Sequence, residues 1–90
     1  MKYSNGDLVI VEWEDHFSFR NQGWCKYSDL KPDIAPEICH SVGVVVINGK
    51  STLNLAQNWH PMDKETNVAD FMTIIKTCIR KVTVLKKKVI

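Results

Sequence analysis

The chain has 90 residues, of which 44% are hydrophobic and 24% are charged, and its formal net charge is +2. Such a chain builds one small hydrophobic core, so we expect a single domain over residues 1–90, with modest stability unless a subunit interface adds to it. The charge is too small to indicate nucleic-acid binding by bulk electrostatics, and its sign disfavours a DNA mimic.

The cysteines and the start of the chain indicate the compartment. The sequence has three cysteines, an odd number, and no two of them are at CxxC spacing. We therefore expect no disulfide framework and a reducing environment. The first residues lack an apolar signal core, and no wholly apolar run is longer than the four residues Val44–Ile47. We expect no signal peptide, no membrane span and a cytoplasmic location.

The first β-rich segment is DLVIVEWE. Its β-branched residues favour a strand. The segment starts apolar on both faces and then places Val9, Val11 and Trp13 on one side and acidic residues on the other, so we expect these three side chains to face a core. Leu8 and Ile10 are expected to be partly covered on the opposite face.

A long polar connection over residues 15–37 separates this strand from the next. Loops longer than about 12 to 15 residues are usually functional or mobile, so this connection is a candidate ligand-contacting surface. The alternative is structural, because large aromatic residues pack in cores more often than they hold ligands. In that case the aromatic side chains form a lid over one end of a small barrel; they are Phe17, Phe19, Trp24 and Tyr27.

The centre of the sequence is a pair of β-rich runs that flank Asn48-Gly49. Both residues tolerate the positive φ of a type I′ turn, so we predict a hairpin that reverses at this dipeptide. The apolar residues Val44–Ile47 should be covered on both faces, whereas Leu53 and Leu55 alternate with polar residues and should face a core on one side. The hairpin is therefore expected in the middle of a sheet.

The last third of the chain allows two interpretations. Residues 58–70 are predicted to form a loop. From residue 68 onward, apolar residues at i, i+3, i+4 and i+7 spacing allow an amphipathic helix, but the β-branched clusters 73–75 and 82–85 disfavour it. We prefer a strand, a tight turn and a strand, with the helix over residues 68–81 as the alternative; the preferred segments are Phe71–Ile75, Lys76–Cys78 and Ile79–Leu85.

The order of several short motifs carries a resemblance to a protein family. The motifs are Val11-x-Trp13-x-Asp15, Gly23-Trp24, Cys39-x-Ser41-Val42-Gly43, Leu55-Ala56, and Met72-Thr73-Ile74-x-Lys76-x-x-Ile79. With these motifs the chain resembles small uncharacterised bacteriophage and prophage proteins over most of its length. The resemblance implies a strongly bent antiparallel barrel of the SH3 or Sm-like kind, with a 3₁₀ turn before the last strand. It implies no activity.

The resulting fold class is all-β. We predict a small SH3/Sm-like antiparallel barrel of four or five strands, with a long first loop and a 3₁₀ turn before the last strand. The residues themselves predict the strands, the loop and the hairpin. Closure of a barrel would also remove the exposed edges that a short sheet otherwise carries.

No residue combination is typical of an enzyme or a metal centre. Cys39 and His40 are neighbours that would point to opposite faces of a strand, so they do not easily share one metal ion. Buried thiols such as Cys78 in its apolar context are usually unreactive. No glycine-rich phosphate loop is present. We therefore predict a protein that is not an enzyme, with no catalytic residue, no metal site and no cofactor.

Positive charge is concentrated toward the end of the chain, where the last fifteen positions hold half of the twelve Lys and Arg residues. A solvated edge strand explains them without a ligand, and strand alternation would send Arg80 and Lys81 to opposite sides. The functional hypothesis is an anion site, in which cations and aromatic rings hold a nucleotide or a nucleic-acid strand. The candidate ligand-binding residues are Trp24, Tyr27, Trp59, Lys76, Arg80 and Lys81.

Two functions from different classes follow. The leading hypothesis is a non-catalytic phage accessory protein in the host cytoplasm, which antagonises a host defence by binding a nucleotide signal or a host protein; in one version it acts as a homo-oligomer. The alternative is a nucleic-acid-binding module for single-stranded DNA or RNA in phage replication or gene control. A minor virion component is a third interpretation. None of them involves a membrane.

Overall fold

The computed structural model describes residues 2–15, 26, 28, 37–61 and 65–90. The elements in chain order are β1 (Leu8–Asp15), β2 (Glu37–Asn48), β3 (Thr52–Pro61), β4 (Thr66–Ile75), a 3₁₀ turn (Lys76–Cys78) and β5 (Ile79–Lys86). The predicted long first loop lies almost entirely outside the described residues. Nowhere in the described part of the chain is there a helix long and apolar enough to cross a membrane.

The five strands form one antiparallel sheet in the order β4-β3-β2-β1-β5. The all-β prediction is confirmed, including the 3₁₀ turn directly before the last strand. The predicted closure into a barrel is wrong, because β4 and β5 lie at opposite edges and are not hydrogen-bonded to each other. β2 pairs with β1 along all of β1 but with β3 only from Val44 to Asn48. The β3–β4 hairpin is therefore held to the sheet over a short distance and does not curl round to β5.

The hydrophobic core uses alternate residues of β1, as predicted. Val9 and Val11 are fully buried, and Trp13 packs against the core. Leu8 and Ile10 are half-buried on the opposite face. Four other strands complete the core cluster with Val45, Leu53, Leu55, Ile74 and Val82.

The central hairpin forms, but its turn lies later in the chain than predicted. Asn48 pairs with Leu53, and the Gly49 N–H donates to the Thr52 carbonyl oxygen at 3.0 Å. The two residues between Gly49 and Thr52 therefore make the reversal. Neither Asn48 nor Gly49 takes a positive φ, so the prediction of a type I′ turn at this dipeptide is wrong.

Long-range contacts of Asn48 explain the displaced turn. Its backbone N–H donates to Asn5 Oδ1 at 3.0 Å, and its side-chain Oδ1 accepts a hydrogen bond from Lys76 Nζ at 2.5 Å. Both contacts hold Asn48 extended at the end of β2. Tertiary structure thus overrides the local turn preference of the Asn-Gly pair.

A β-bulge interrupts β2 at Val46. Val45 and Ile47 each have a partner on β3, whereas the register shifts between them. Val44 and Val45 are fully buried, Val46 is half-buried and Ile47 is 58% exposed. The prediction that all four apolar residues are covered is therefore confirmed for the first two and wrong for Ile47, because the bulge changes the direction in which the strand presents its side chains.

The β3–β4 hairpin is longer than the sequence indicated. The predicted loop over residues 58–70 is wrong, because residues 58–61 pair with residues 66–69 as two strands. Pairing of β3 with β2 ends at Ala56, so within the described residues this half of the hairpin has no third strand, and the β3 side chains of residues 57–60 are exposed. Exposed strand residues show no alternation of apolar and polar side chains. The sequence pattern therefore could not predict this part of the two strands.

The helix alternative for residues 68–81 is also wrong. This segment comprises the end of β4, the 3₁₀ turn and the start of β5. The preferred strand, tight turn and strand are confirmed. The β-branched clusters decided between two patterns that periodicity alone could not separate.

Candidate anion-binding site

An open cleft of about 380 Å³ lies along the β5 edge of the sheet. Three cations contribute to its lining, Lys76 from the 3₁₀ turn and Arg80 and Lys81 from β5. Among the described residues, Tyr3, Ile79 and Val82 also line it. We call this feature the cationic cleft.

A β-bulge brings Arg80 and Lys81 to the same cleft. β1 pairs with β5 at Glu12↔Lys81 and at Trp13↔Ile79, which leaves Arg80 as the extra residue of β5. A bulge re-aims the side chains around it. Regular alternation would send the two cations to opposite sides of the strand, whereas at this bulge both line the cleft.

Lys76 is held at both its backbone and its side chain. The backbone N–H donates to the Ser51 carbonyl oxygen at 2.8 Å, and the ammonium donates to Asn48 Oδ1 at 2.5 Å. An ammonium carries more than one donor, so the bond to Asn48 fixes the group without using all of its hydrogen-bonding capacity. Lys76 therefore presents a positioned charge to the cleft.

Arg80 and Lys81 differ in their surroundings. Arg80 Nε lies 3.6 Å from Glu14 Oε1, in an ion pair between partly exposed side chains. Such a pair stabilises the fold very little but restrains the guanidinium. The side chain of Lys81 makes no hydrogen bond or ion pair with another residue that the structure describes. Its charge, like that of Lys76, is not compensated by a carboxylate among the described residues.

Tyr3 lines the cleft from the segment before β1, where it packs against the hydrophobic core and where the two ends of the described chain are tied together. The buried Asp7 carboxylate accepts hydrogen bonds from the Ser4 backbone N–H at 3.0 Å and from the Lys88 backbone N–H at 3.1 Å. The Lys88 ammonium in turn donates to the Asn5 carbonyl oxygen at 2.9 Å. These bonds hold the segment that contains Tyr3 beside the end of β5.

The same hydrogen bonds determine the charge of Asp7. The Ser4 backbone N–H, followed by the Lys88 backbone N–H, lowers the pKa of this carboxyl below its ordinary value of 3.8. Burial acts in the opposite direction, and the positive charges of Lys87 and Lys88 support the lowering. Asp7 is therefore a carboxylate at neutral pH, which is the form that accepts these hydrogen bonds.

Sequence reasoning missed both Tyr3 and Asp7. The run Ser4-Asn5-Gly6-Asp7 has the composition of a turn in which an aspartate accepts backbone N–H groups, so a local signal for Asp7 was present. Nothing local indicates that Tyr3 lies beside β5. That contact depends on the pairing of β1 with β5, which joins opposite ends of the sequence.

Trp59, another of the predicted site residues, does not join the cleft. Trp59 lies on β3, where it lines a separate cleft of about 150 Å³ together with neighbouring residues of β3 and β4. Trp24 and Tyr27 lie outside the described residues. The structure thus brings Lys76, Arg80 and Lys81 together and separates Trp59 from them.

Cys39 and His40 lie at successive positions of β2 and face opposite sides of the sheet. Burial raises the pKa of the Cys39 thiol, and the charges of Asp15 and Glu37 raise it further. The thiol is therefore protonated at neutral pH, which is the less nucleophilic form. Among the residues that the structure describes, no group of three or more His, Cys, Asp or Glu side chains is placed to hold a metal ion.

The fold and the site define a class of protein: an open five-stranded β-sheet that carries a cationic cleft along one edge. Comparisons of the chain with protein-family models, with curated proteins and with solved structures find no match. The similarity to phage proteins and to SH3 or Sm-like barrels stays a prediction from the sequence motifs.

Proposed function

We propose that this chain is a non-catalytic binding protein that holds a small phosphate-bearing molecule, such as a nucleotide, in the cationic cleft. One observation carries the proposal: Lys76, Arg80 and Lys81 line a single cleft together with the aromatic ring of Tyr3. Each part of that lining matches one part of a nucleotide.

The cations account for the phosphate groups. A guanidinium offers a planar set of donors that fits phosphate oxygens, and an ammonium adds a compact point charge. Glu14 compensates part of the charge of Arg80, whereas Lys81 has no such partner among the described residues. A ligand with more than one negative charge therefore matches the cleft better than a simple carboxylate.

The remaining lining accounts for the rest of the ligand. Tyr3 is half-buried against the core and borders the cleft with an aromatic side chain on which a base can pack, and Ile79 supplies apolar surface. Small-molecule sites have volumes of roughly 300–1,000 Å³, and the cleft at about 380 Å³ lies at the small end of that range. This size favours one nucleotide over a long strand.

The phage resemblance gives the proposal its biological setting. A protein that binds a nucleotide tightly and does not convert it lowers the free concentration of that nucleotide. We extend the proposal accordingly: the ligand is a nucleotide signal of a host defence, and its sequestration antagonises that defence.

Nucleic-acid binding is the competing function, and one observation favours it. Lys86 and Lys87 are exposed beyond the cleft and continue the positive charge past the end of β5. A strand that followed this charge would neutralise several cations, and its affinity would fall steeply with salt. Lys88 is less available for such a role, because its ammonium and its backbone N–H hold the chain ends together.

Calorimetric titration tests the proposal. The native protein is titrated with pyrophosphate, ADP, ADP-ribose, cyclic di-AMP and a single-stranded oligonucleotide. At least one of the small phosphate compounds is expected to bind. Lys81→Gln should weaken that binding about tenfold or more, because a hydrogen bond to a charged group contributes about 1.5–3 kcal/mol.

Lys87→Gln is the matched control, since it removes the same charge from an exposed site outside the cleft. It should leave the binding of small phosphate compounds nearly unchanged. Equal weakening by both variants would show that bulk charge attracts the ligand, and absence of heat with every small compound would overturn the proposal. If only the oligonucleotide binds and Lys87→Gln weakens it as much as Lys81→Gln, the competing function is correct.

A further inference from the structure

The two edges of the sheet differ in how well they are protected against pairing with another strand. β5 carries three cations and has two register shifts in its pairing with β1. Charge and bulges are two devices by which natural proteins prevent pairing at a sheet edge. β4 lies at the other edge and has neither device between Phe71 and Ile75, where no residue is charged and the register with β3 is regular.

The unprotected part of β4 also exposes large apolar side chains. Phe71 is 63% exposed and Ile75 is 57% exposed. An edge strand presents unpaired backbone N–H and C=O groups, so this segment combines an open hydrogen-bonding ladder with apolar surface. Among the strands that the structure describes, only β3 pairs with β4.

The sequence of this segment would match a second copy of itself if the two copies paired with Thr73 at the centre. In an antiparallel pair of two copies centred on Thr73, Phe71 faces the Ile75 position of the second copy, and Met72 faces Ile74. The pattern therefore matches apolar with apolar on both sides of Thr73.

We propose that β4 is the site of self-association, where Phe71–Ile75 of two copies pair as antiparallel strands about a two-fold axis at Thr73. A two-fold edge contact uses the same surface on both copies and is closed. The remaining outer edges of the dimer are then both β5, which is protected. The assembly accordingly stops at two copies, joined in one continuous ten-stranded sheet, twice the five strands of one chain.

The first test is the mass in solution, measured by sedimentation equilibrium. The chain has a mass of 10.3 kDa, and the native protein should sediment at twice that value. Phe71→Lys should weaken the dimer about tenfold or more, because it removes an aromatic contact and places a charged side chain opposite the apolar Ile75 of the second copy. Leu85→Lys is the matched control on the β5 edge, since Leu85 is 53% exposed; it should leave the dimer intact.

The second test identifies the axis. A residue on the two-fold axis faces its own copy, and Cα atoms of directly paired residues lie about 4.5–5.5 Å apart, within the range for a disulfide. Thr73→Cys should therefore form a cross-linked dimer under mild oxidation. Thr83→Cys on β5 is the control, and the native chain shows the background from its own three cysteines. Both controls should stay uncross-linked.

Three results would overturn the proposal. They are a native protein that stays at 10.3 kDa up to millimolar concentration, a dimer that responds equally to Phe71→Lys and Leu85→Lys, and a Thr73→Cys chain that cross-links no better than Thr83→Cys. Assemblies that grow beyond two copies would contradict it as well. None of the variants alters a cleft residue, so the result is independent of ligand binding.

Discussion

At the scale of single residues, Asp7 connects the stability of the fold to the position of a candidate ligand contact. Its carboxylate accepts hydrogen bonds from both ends of the described chain, and these bonds hold Tyr3 near β5. Gly6 supports the same arrangement with a φ of 95°, and a Cβ there would come within 2.9 Å of the Ile90 carbonyl oxygen. The chain thus requires glycine and aspartate at these two adjacent positions.

The lowered pKa of Asp7 predicts a pH-dependent contribution to stability. Because the folded-state pKa lies below 3.8, the carboxylate stabilises the fold above that value, and this contribution is lost as pH falls through the folded-state pKa. Asp7→Asn should lower the Tm by several degrees at pH 7. The difference from the native protein should shrink between about pH 5 and pH 2.

Thermal unfolding followed by circular dichroism checks this prediction across that pH range. Glu65→Gln removes a carboxylate from an exposed position and serves as the control; its Tm should follow the native curve. A difference between Asp7→Asn and the native protein that stays constant into acid would show that the charge of Asp7 does not contribute.

At the scale of elements, Gly43 permits the close approach of β2 and β3. A Cβ at this position would lie 2.9 Å from the Ala56 carbonyl oxygen and 3.0 Å from Leu55 Cβ. Both neighbours belong to the core of the sheet, so neither moves easily. The approach occurs where β3 begins to separate from β2, since Ala56 is the last β3 residue that pairs with β2.

Gly43→Ala should therefore lower the free energy of unfolding by about 1–3 kcal/mol, which is the usual cost of overpacking. Gly49→Ala is the comparison. Gly49 has no positive φ, and its Cβ would meet the Thr52 carbonyl oxygen at 3.1 Å within an exposed turn. Its effect should be less than about 1 kcal/mol. Urea denaturation measures both, and a larger cost at Gly49 than at Gly43 would contradict this prediction.

The elements that could be predicted are those in which the order of apolar and polar residues matches the buried and exposed faces of the strand. The alternation in β1 and the β-branched clusters around Lys76–Cys78 each correspond to strands with one buried face. The bulges at Val46 and Arg80 have no comparable signature, because they depend on the register of a neighbouring strand. Sequence reasoning therefore selected Arg80 and Lys81 but could not place both in one cleft.

At the scale of the whole molecule, the open sheet gives its two edges different properties. The β5 edge carries the cationic cleft and the β4 edge carries exposed apolar side chains. A closed barrel would have removed both edges. Barrel closure could not be predicted from the sequence, because it depends on how many residues of β3 pair with β2. The polar half of the β3–β4 hairpin has no sequence pattern that indicates this number.

The measurement that tests the central claim most directly is an NMR titration of the ¹⁵N-labelled protein with ADP. Binding in the cationic cleft predicts saturable shifts of the backbone amides of Tyr3 and Lys76 and of residues 79–82, with the Trp59 indole unchanged. Shifts confined to the β3–β4 hairpin, or none that saturate at millimolar ADP, would contradict the assignment of this cleft as a nucleotide site.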